Sequence, residues 1–530
     1  FYFTVDGADY FPDIFYGRLS VDTPGEAKTL IDKILNYEQT PPVAANFYDN
    51  VVSCSYFEDT RPQPPPPAPV GDGREDFPFV LRVENVSAYL QGQGYTVDQL
   101  YWADRIANPA PARLYDGSAL PNNLLPPGYA WNFGAGDIRN AIDDNRSLVY
   151  HIDHGDSRNF WNYVGAQWGG FDGWHRPRFT AADILALANG NRLPVVISID
   201  CNVGWFDGET DQTDDPTLNN ENNVGADIEC FSEVITRLPN AGAVAAIGST
   251  RLSYIFANDE LMEGLIDAIW TDYDATFDSG GLYNLGQVLM YGKLCVASRF
   301  GYNSDFTNTT FHLYHLFGDP EMWMWTQQPK ELDVSCPTQI GSNGLQRFVV
   351  NVTDHNTGVP IQQAIVCLQK ENEVYSVAST DPAGGAYFAV HPYSDGEMNV
   401  TVTKHNYRPY IGLMMVTSGG AVLSTTPVFG PSGISASLQG NNFDDGEAVD
   451  IYFGGSTPDT TFTASAGSFV ETFTVPTGPI GPLNVVAIGK TSGRRAVALF
   501  RRLPDQPLPD PYIYDQWDPS TWHINPDGCL

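Results

Sequence analysis

The chain has 530 residues, of which 63 are acidic and 28 basic, for a formal net charge of −35. This length exceeds what one hydrophobic core can hold and predicts two to four domains. The negative charge disfavours nucleic acid and anionic membranes as partners and favours cationic ligands, calcium or a salty medium.

The cysteines and the start of the chain disfavour other classes of protein. Seven scattered cysteines form no CxxC pair, so neither a zinc ribbon nor a disulfide scaffold is supported. No stretch approaches the roughly 18 consecutive apolar residues of a membrane-spanning helix. The chain begins at Phe1, inside a strand-like segment and with no signal peptide before it. We therefore expect an upstream segment, either removed by processing or supplied as a separate chain.

The N-terminal part alternates predicted helices and strands. Thr23 and Glu26 form a capping box, and apolar residues at helical spacing continue that helix to about residue 35. A strand over 51–56 ends just before Glu58. The next predicted elements are a proline-rich loop over 61–72, a helix over 79–91 and a strand over 95–101.

The central stretch predicts two neighbouring parallel strands. An apolar run over 148–152 ends in Asp153-His154-Gly155, and a second over 194–199 ends in Asp200-Cys201. Between them, Thr180 and Asp183 start a predicted helix that continues through residue 188. A strand, a helix and a strand form a right-handed crossover, so both strands point the same way. Their carboxyl ends share one sheet edge, and we expect His154 and Cys201 to lie side by side there.

The rest of the chain divides into an α/β part and a β part. After a polar insertion over 207–227 come a helix over 228–238, a strand over 243–247 and helices over 258–270 and 282–293. These complete one α/β domain over 1–330. Alternating β-type segments then predict an immunoglobulin-like sandwich over 331–425, a second sandwich over 426–502 and a Pro/Asp-rich tail over 503–530.

The residues at the sheet edge suit nucleophilic catalysis. Cys201 would be the nucleophile and His154 its base, with the backbone amides of Gly155 and Cys201 as donors to an oxyanion. A buried structural thiol is the alternative for Cys201. A metal site built from His151, His154 and His175 is disfavoured, because residues three apart on a strand point to opposite faces.

The stretch from Tyr150 to Gly155, followed by Ile199-Asp200-Cys201-Asn202, resembles the gingipain family of cysteine peptidases, relatives of caspases and legumains. Further similar segments are 13–18, 230–233, 246–250 and 317–320, in the family's order. The resemblance implies a caspase-like three-layer α/β sandwich with a mostly parallel sheet, followed by immunoglobulin-like domains. It implies His154 as base, Cys201 as nucleophile, Glu58 as the acid that orients the histidine, and Tyr254 at the wall of the P1 pocket.

The chain departs from that family in two ways. The family's N-terminal half-sheet is largely missing before Phe1, and the acid that binds a P1 arginine falls near Val80. Glu75, Asp76, Asp259 or Glu260 could take its place, so a basic P1 residue is implied only by the family and the acidic surplus.

Calcium is the one cofactor that the sequence suggests. Asp6, Asp9 and Asp13 lie in or next to a turn, and gingipain-like enzymes bind calcium, although a solvated acidic loop is an equal alternative. The insertion over 207–227 could likewise bind calcium or be a solvated acidic loop, and a cleavage loop of a zymogen is a third alternative for it.

The resulting hypothesis is a secreted cysteine endopeptidase that acts on protein or peptide substrates, with an upstream chain or propeptide as a further partner. The rival hypothesis is a catalytically silent surface binding or structural protein built on a peptidase fold. A metal-dependent hydrolase is a third.

Overall fold

The computed structural model describes residues 4, 10–44, 46–59, 71–107, 109–156, 173–206, 229–276, 279–342, 344–418, 420–455 and 457–504. The chain divides between Pro329 and Lys330 into two compact units. Four of the five residues of the predicted strand over 1–5, the whole insertion over 207–227 and the tail after residue 504 lie outside the described residues.

The first unit is an α/β structure. Its described helices are α1 Pro24–Gln39, α2 Phe79–Gly92, α3 Ala135–Asp143, α4 Ala181–Ile184, α5 Phe231–Arg237, α6 Ile255–Ile269, α7 Leu285–Phe300 and α8 Asp305–Leu313, with a 3₁₀ turn at Asn122–Leu124. Its described strands are β1 Asn50–Phe57, β2 Thr96–Ala103, β3 Leu148–Ile152, β4 Gly155–Asp156, β5 Gly173–Trp174, β6 Phe179–Thr180, β7 Val195–Ile199, β8 Ala245–Ser249 and β9 Tyr314–Phe317.

Six of these strands form one sheet with the order β2-β1-β3-β7-β8-β9. Neighbouring strands are parallel except β9, which runs antiparallel to β8. Successive residues of β3 enter different cores: Val149 packs with α3, α4 and α5, whereas Tyr150 packs with α2, α6 and α7. A strand covered on both faces must be apolar throughout, as β3 and β7 are. The predicted three-layer α/β sandwich is confirmed.

The crossover between β3 and β7 differs from the prediction. Asp183 accepts a hydrogen bond from the Thr180 amide at 2.9 Å, as in a capping box, but α4 ends at Ile184 after one turn. The remainder of the connection contains β4, β5 and β6, which pair as a small antiparallel sheet. The chain turns at Asn189-Gly190 before β7, and Gly190 has a φ of 63°, which favours glycine.

The second unit contains only strands among its described elements. They are β10 Leu332–Ser335, β11 Gln339–Gly341, β12 Gln346–Asp354, β13 Ile365–Lys370, β14 Val374–Ser379, β15 Gly385–Val390, β16 Gly396–Lys404, β17 Tyr407–Thr417, β18 Val422–Thr426, β19 Phe429–Pro431, β20 Ser435–Asn441, β21 Ala448–Phe453, β22 Thr460–Thr463, β23 Phe469–Thr474, β24 Gly481–Gly489 and β25 Arg495–Leu503.

These strands build two sandwiches of the same design. A three-stranded sheet, β10-β12-β15, packs on a five-stranded sheet, β11-β17-β16-β13-β14, around one apolar core. The pattern repeats with β18-β20-β23 and β19-β25-β24-β21-β22. Sequence analysis assigned β18 to the first sandwich, but it pairs with β20 and belongs to the second. An alternating strand pattern shows which side chains face inward but not which strand lies alongside.

A buried lysine joins two helices of the first unit. Lys33 of α1 donates to the carbonyl groups of Thr236, Leu238 and Ala241 at 2.6, 3.2 and 2.9 Å, at the C-terminal end of α5. Carbonyl groups at a helix C-terminus lack partners within the helix, so the ammonium satisfies them.

We expect Lys33→Met to lower the free energy of unfolding by about 1–3 kcal/mol, because three carbonyl groups lose their donor. Lys28→Met is the matched control. Lys28 lies on the same helix, is exposed and pairs with Asp32 one turn away, so its loss should cost about 0.5 kcal/mol or less. Urea unfolding measures both, and equal effects would show that the buried contact contributes nothing.

Candidate active site

The pairing of β3 and β7 positions the two candidate catalytic residues. Ile152 of β3 is in register with Ile199 of β7. His154 and Cys201 each follow two residues after that pair, so they leave neighbouring parallel strands at the same level. Neighbouring strands are about 4.8 Å apart, which brings the two residues together at the carboxyl edge of the sheet.

Gly155 fits against the backbone beside Cys201. A Cβ atom at Gly155 would lie 2.5 Å from the Cys201 carbonyl oxygen and 2.6 Å from the Asp200 Cβ. Neither atom belongs to a flexible chain end, so any side chain here would separate the two segments. The close backbone approach that a glycine allows is therefore used here within the protein itself.

His154 lies between a carboxylate and two aromatic rings. Its Nε2 is 2.9 Å from Glu58 Oε2, just beyond the end of β1. Phe77 and Phe79 meet the imidazole edge-on, with ring centroids 5.8 and 5.2 Å away. The imidazole keeps 29% of its surface exposed while Glu58 keeps 9%. The carboxylate therefore contacts the ring from the protein side and leaves part of it open to solvent.

A second carboxylate, Asp59, directly follows Glu58 in the chain, and the structure distinguishes the two. The Asp59 carboxylate accepts from the amides of Asp72 and Gly73, both at 2.9 Å. It shapes the chain that returns after the proline-rich segment. Of the two carboxylates, Glu58 is the one that contacts His154.

Ser253 contacts the Cys201 sulfur and was not found by sequence analysis. Its amide lies 3.4 Å and its Oγ 3.7 Å from Cys201 Sγ. Asn258 donates to Ser253 Oγ at 2.8 Å, and the Tyr314 hydroxyl donates to Asn258 Oδ1 at 2.8 Å. The available signal was topological, since the loop after β8 must leave the sheet at the edge that carries Cys201.

One other contact at the edge was also missed. His151 and Asp200, both fully buried, contact each other with Nδ1 and Oδ1 2.8 Å apart. His151 therefore points toward the strand of Cys201, and His154 points toward Glu58.

The residues proposed for P1 binding lie in different surroundings. The Asp76 amide donates to the Glu58 carbonyl at 2.8 Å, so Asp76 is beside the dyad. Tyr254 is half exposed and packs edge-on against Phe306. Asp259 is buried with Oδ2 3.5 Å from Arg82 Nε. Glu260 is 4.0 Å from Arg299. The structure thus pairs Asp259 and Glu260 with arginines of the chain itself.

Glu75 is a further buried carboxylate in this region. It accepts from the amides of Val80 and Tyr115, at 2.5 and 3.1 Å. Burial raises the pKa of Glu75 well above its usual range, with Asp259 adding to the effect. Burial also raises the pKa of Asp259 to about 7, and the guanidinium of Arg82 opposes that rise.

The calcium prediction stays a prediction. Asp6 and Asp9 lie outside the described residues, as does the whole insertion over 207–227, and Asp13 is exposed. Within the described part of the chain, no group of three or more His, Cys, Asp or Glu side chains is arranged to hold a metal ion.

The sequence model of peptidase family C25 matches residues 1–325. The chain belongs to peptidase family C25. The predicted assignment to the gingipain-like cysteine endopeptidases is therefore confirmed at the level of the family. Among the described helices, none combines the length and apolar character required to cross a bilayer.

Family C25 relatives share the fold at low identity. Lys-gingipain W83 from Porphyromonas gingivalis is 22% identical over 436 residues, which cover 78% of this chain and 20% of the relative. The chain thus matches about a fifth of that protein's length. The crystal structure of the Arg-specific cysteine proteinase gingipain R has a TM-score of 0.56 and 19% identity, and the match covers 78% of each chain. A complex of gingipain pro- and mature domains from P. gingivalis also has a TM-score of 0.56, at 18% identity, covering 78% of this chain and 80% of that one.

The pKa of Asp259 makes stability depend on pH. The folded pKa is about 7 and the unfolded value is about 3.9, so the folded state binds more protons between them. The stabilisation of the folded state by the proton on Asp259 is complete below pH 3.9 and is lost as pH rises to about 7. Between pH 4 and 7, the free energy of unfolding should therefore fall by about 2–4 kcal/mol more in the wild type than in Asp259→Asn.

Urea unfolding at pH 4, 5.5 and 7 tests this expectation. The control is Asp305→Asn, which removes an exposed carboxylate in the first turn of α8. A difference between wild type and Asp259→Asn that stays constant with pH would contradict it.

Proposed function

We propose that this chain is a cysteine endopeptidase that hydrolyses peptide bonds through a Cys201–His154 dyad and an acyl-enzyme. The observation that carries the proposal is the common register of β3 and β7, which brings the two residues to one sheet edge. The hydrogen bond between Glu58 and His154 supports it further, because a catalytic base needs a fixed ring orientation.

In the proposed mechanism, His154 takes the proton of Cys201 and the sulfur attacks the scissile carbonyl carbon. The developing oxyanion accepts hydrogen bonds from the amides of Gly155 and Cys201. The tetrahedral intermediate collapses to a thioester as His154 returns the proton to the leaving amine. Water, deprotonated by His154, then attacks the thioester and releases the acid product and the free thiol. Glu58 keeps the ring oriented and stabilises its charged form.

A preference for Arg or Lys at P1 belongs to the same proposal. Asp76 is the carboxylate assigned to receive that cation, because its amide donates to the Glu58 carbonyl and so places it beside the dyad. An opposite charge close by stabilises a cationic side chain. The relatives named as Lys-gingipain and as Arg-specific point to the same two residues.

Maturation from a precursor, action outside the cell and calcium binding complete the proposal. The complex of pro- and mature gingipain domains supports the first of these, with a propeptide as partner. The second and third rest on the resemblance to gingipains and on the net charge of −35.

Fluorogenic peptides with Arg, Lys, Asn or Asp at P1 test the activity directly. We expect the Arg or Lys peptide to be cleaved at least about tenfold faster than the other two, because the Asp76 carboxylate would stabilise a cationic P1 side chain. Cys201→Ala should abolish cleavage. Cys230→Ala, which changes a buried cysteine at the start of α5, should retain it. Cleavage that persists in Cys201→Ala but is lost on metal chelation would overturn the proposal in favour of a metal-dependent hydrolase.

Glu58→Gln should lower kcat/KM by about 10- to 100-fold, because the ring loses the negative charge that stabilises its protonated form. Asp59→Asn is the matched control. It neutralises the adjacent carboxylate, which contacts loop amides instead of His154, and should change kcat/KM by about threefold at most. Equal losses in the two variants would mean that the contact between Glu58 and His154 has no catalytic role.

A further inference from the structure

His151 and Asp200 form a fully buried pair directly beneath the candidate dyad. His151 is on β3, three residues before His154, and Asp200 is the residue before Cys201. Both side chains have no exposed surface. Burying a charged group costs free energy unless the group is paired and hydrogen-bonded. A buried histidine and carboxylate beside a nucleophile therefore need a structural or functional reason.

The partners of His151 determine where its protons lie. Its Nδ1 is 2.8 Å from Asp200 Oδ1, and its Nε2 is 3.1 Å from the Arg176 carbonyl oxygen. A carbonyl oxygen only accepts hydrogen bonds, so Nε2 carries a proton. The ring also stacks on Trp174, with centroids 4.3 Å apart and planes 6° apart, which fixes its orientation.

Other donors surround the Asp200 carboxylate. Oδ1 also accepts from the Asp153 amide at 3.0 Å. Oδ2 accepts from the Ser198 hydroxyl at 2.5 Å, and the Ser198 oxygen itself accepts from Trp174 Nε1 at 2.7 Å. Each of these neighbours donates, an arrangement that suits a carboxylate acting only as acceptor, with His151 Nδ1 as one more donor to it.

We propose that His151 and Asp200 form a buried ion pair that positions the segments of His154 and Cys201 and cancels a negative charge beside the nucleophilic sulfur. Both are positioning residues in this account. The inference rests on the proposed function only in assigning Cys201 as the nucleophile.

The positioning role follows from the backbone contacts. The Asp200 side chain accepts a hydrogen bond from the backbone amide of Asp153, the residue before His154. Asp200 is itself the residue before Cys201. One carboxylate therefore joins the two strand ends that carry the dyad. Gly155 packs against the same residue, since its Cβ position is 2.6 Å from Asp200 Cβ.

The electrostatic role follows from the position of Asp200. A carboxylate next to a thiol disfavours the thiolate unless a cation compensates it. Burial raises the pKa of Asp153 well above its usual range, so that neighbour is held toward its neutral form and adds little charge. Among the described residues, the other ionisable groups around the pair and the sulfur include Cys54, Glu58, His154, His175, Arg176 and Tyr314.

The test measures the rate of Cys201 alkylation by iodoacetamide against pH, with mass spectrometry of the peptide that contains Cys201. His151→Gln leaves the carboxylate uncompensated, so we expect the midpoint of the rate profile to rise by about one pH unit. Asp200→Asn removes the anion and should not raise the midpoint. In the double variant, the midpoint should lie closer to wild type than in His151→Gln. Ser198→Ala keeps both charges and should shift it by about 0.3 units at most.

Two results would overturn the proposal. One is an unchanged midpoint in a folded His151→Gln protein, and the other is an upward shift of similar size in Asp200→Asn. If His151→Gln does not fold while the double variant does, the proposal is supported, because the unpaired carboxylate is then what prevents folding. Alkylation requires no peptide cleavage. A chain that cleaves no peptide but shows the expected midpoints would therefore contradict the proposed function and still support the proposed ion pair.

Discussion

The parallel pairing of β3 with β7 is the constraint on which the rest of the site depends. Both strands are buried on both faces, so their register is held by two apolar cores at once. A slip of one residue would move Cys201 by about 3.3 Å along the sheet and turn its side chain to the other face. The dyad, the Gly155 contact and the pair of His151 with Asp200 all require the observed register. The apolar layers thus position polar residues that contribute little to the cores themselves.

Charge is distributed differently on the whole chain and at the site. The chain carries a net charge of −35, yet the carboxylates around the dyad each have a specific partner. Glu58 contacts His154, Asp200 contacts His151, and Asp259 lies by Arg82. Desolvation explains the difference, because an exposed carboxylate is stabilised by water whereas a buried one needs a donor or a cation. The acidic surplus of the whole chain therefore says little about the chemistry of the site.

The sandwiches of the second unit illustrate a limit of pattern reading. Alternation along β12, β13 and β16 was sufficient to predict sheets with one buried face. It did not assign β18 to its sheet, because inward-facing residues look the same in either sandwich. The crossover before β7 shows the same limit, since a good capping box began a helix that ended after one turn. Local signals start an element, and its length depends on what it packs against.

The sequence by itself determined the α/β class, the strand ends that carry His154 and Cys201, and the family. These depend on hydrophobic runs and short motifs, which are local properties of the chain. Only the tertiary structure decided between Glu58 and Asp59, placed Ser253 on the sulfur, and joined His151 to Asp200. Those contacts link segments between 49 and 96 positions apart in the chain. Side-chain partners at such separations are set by strand order and register, and neither is written in any single stretch of sequence.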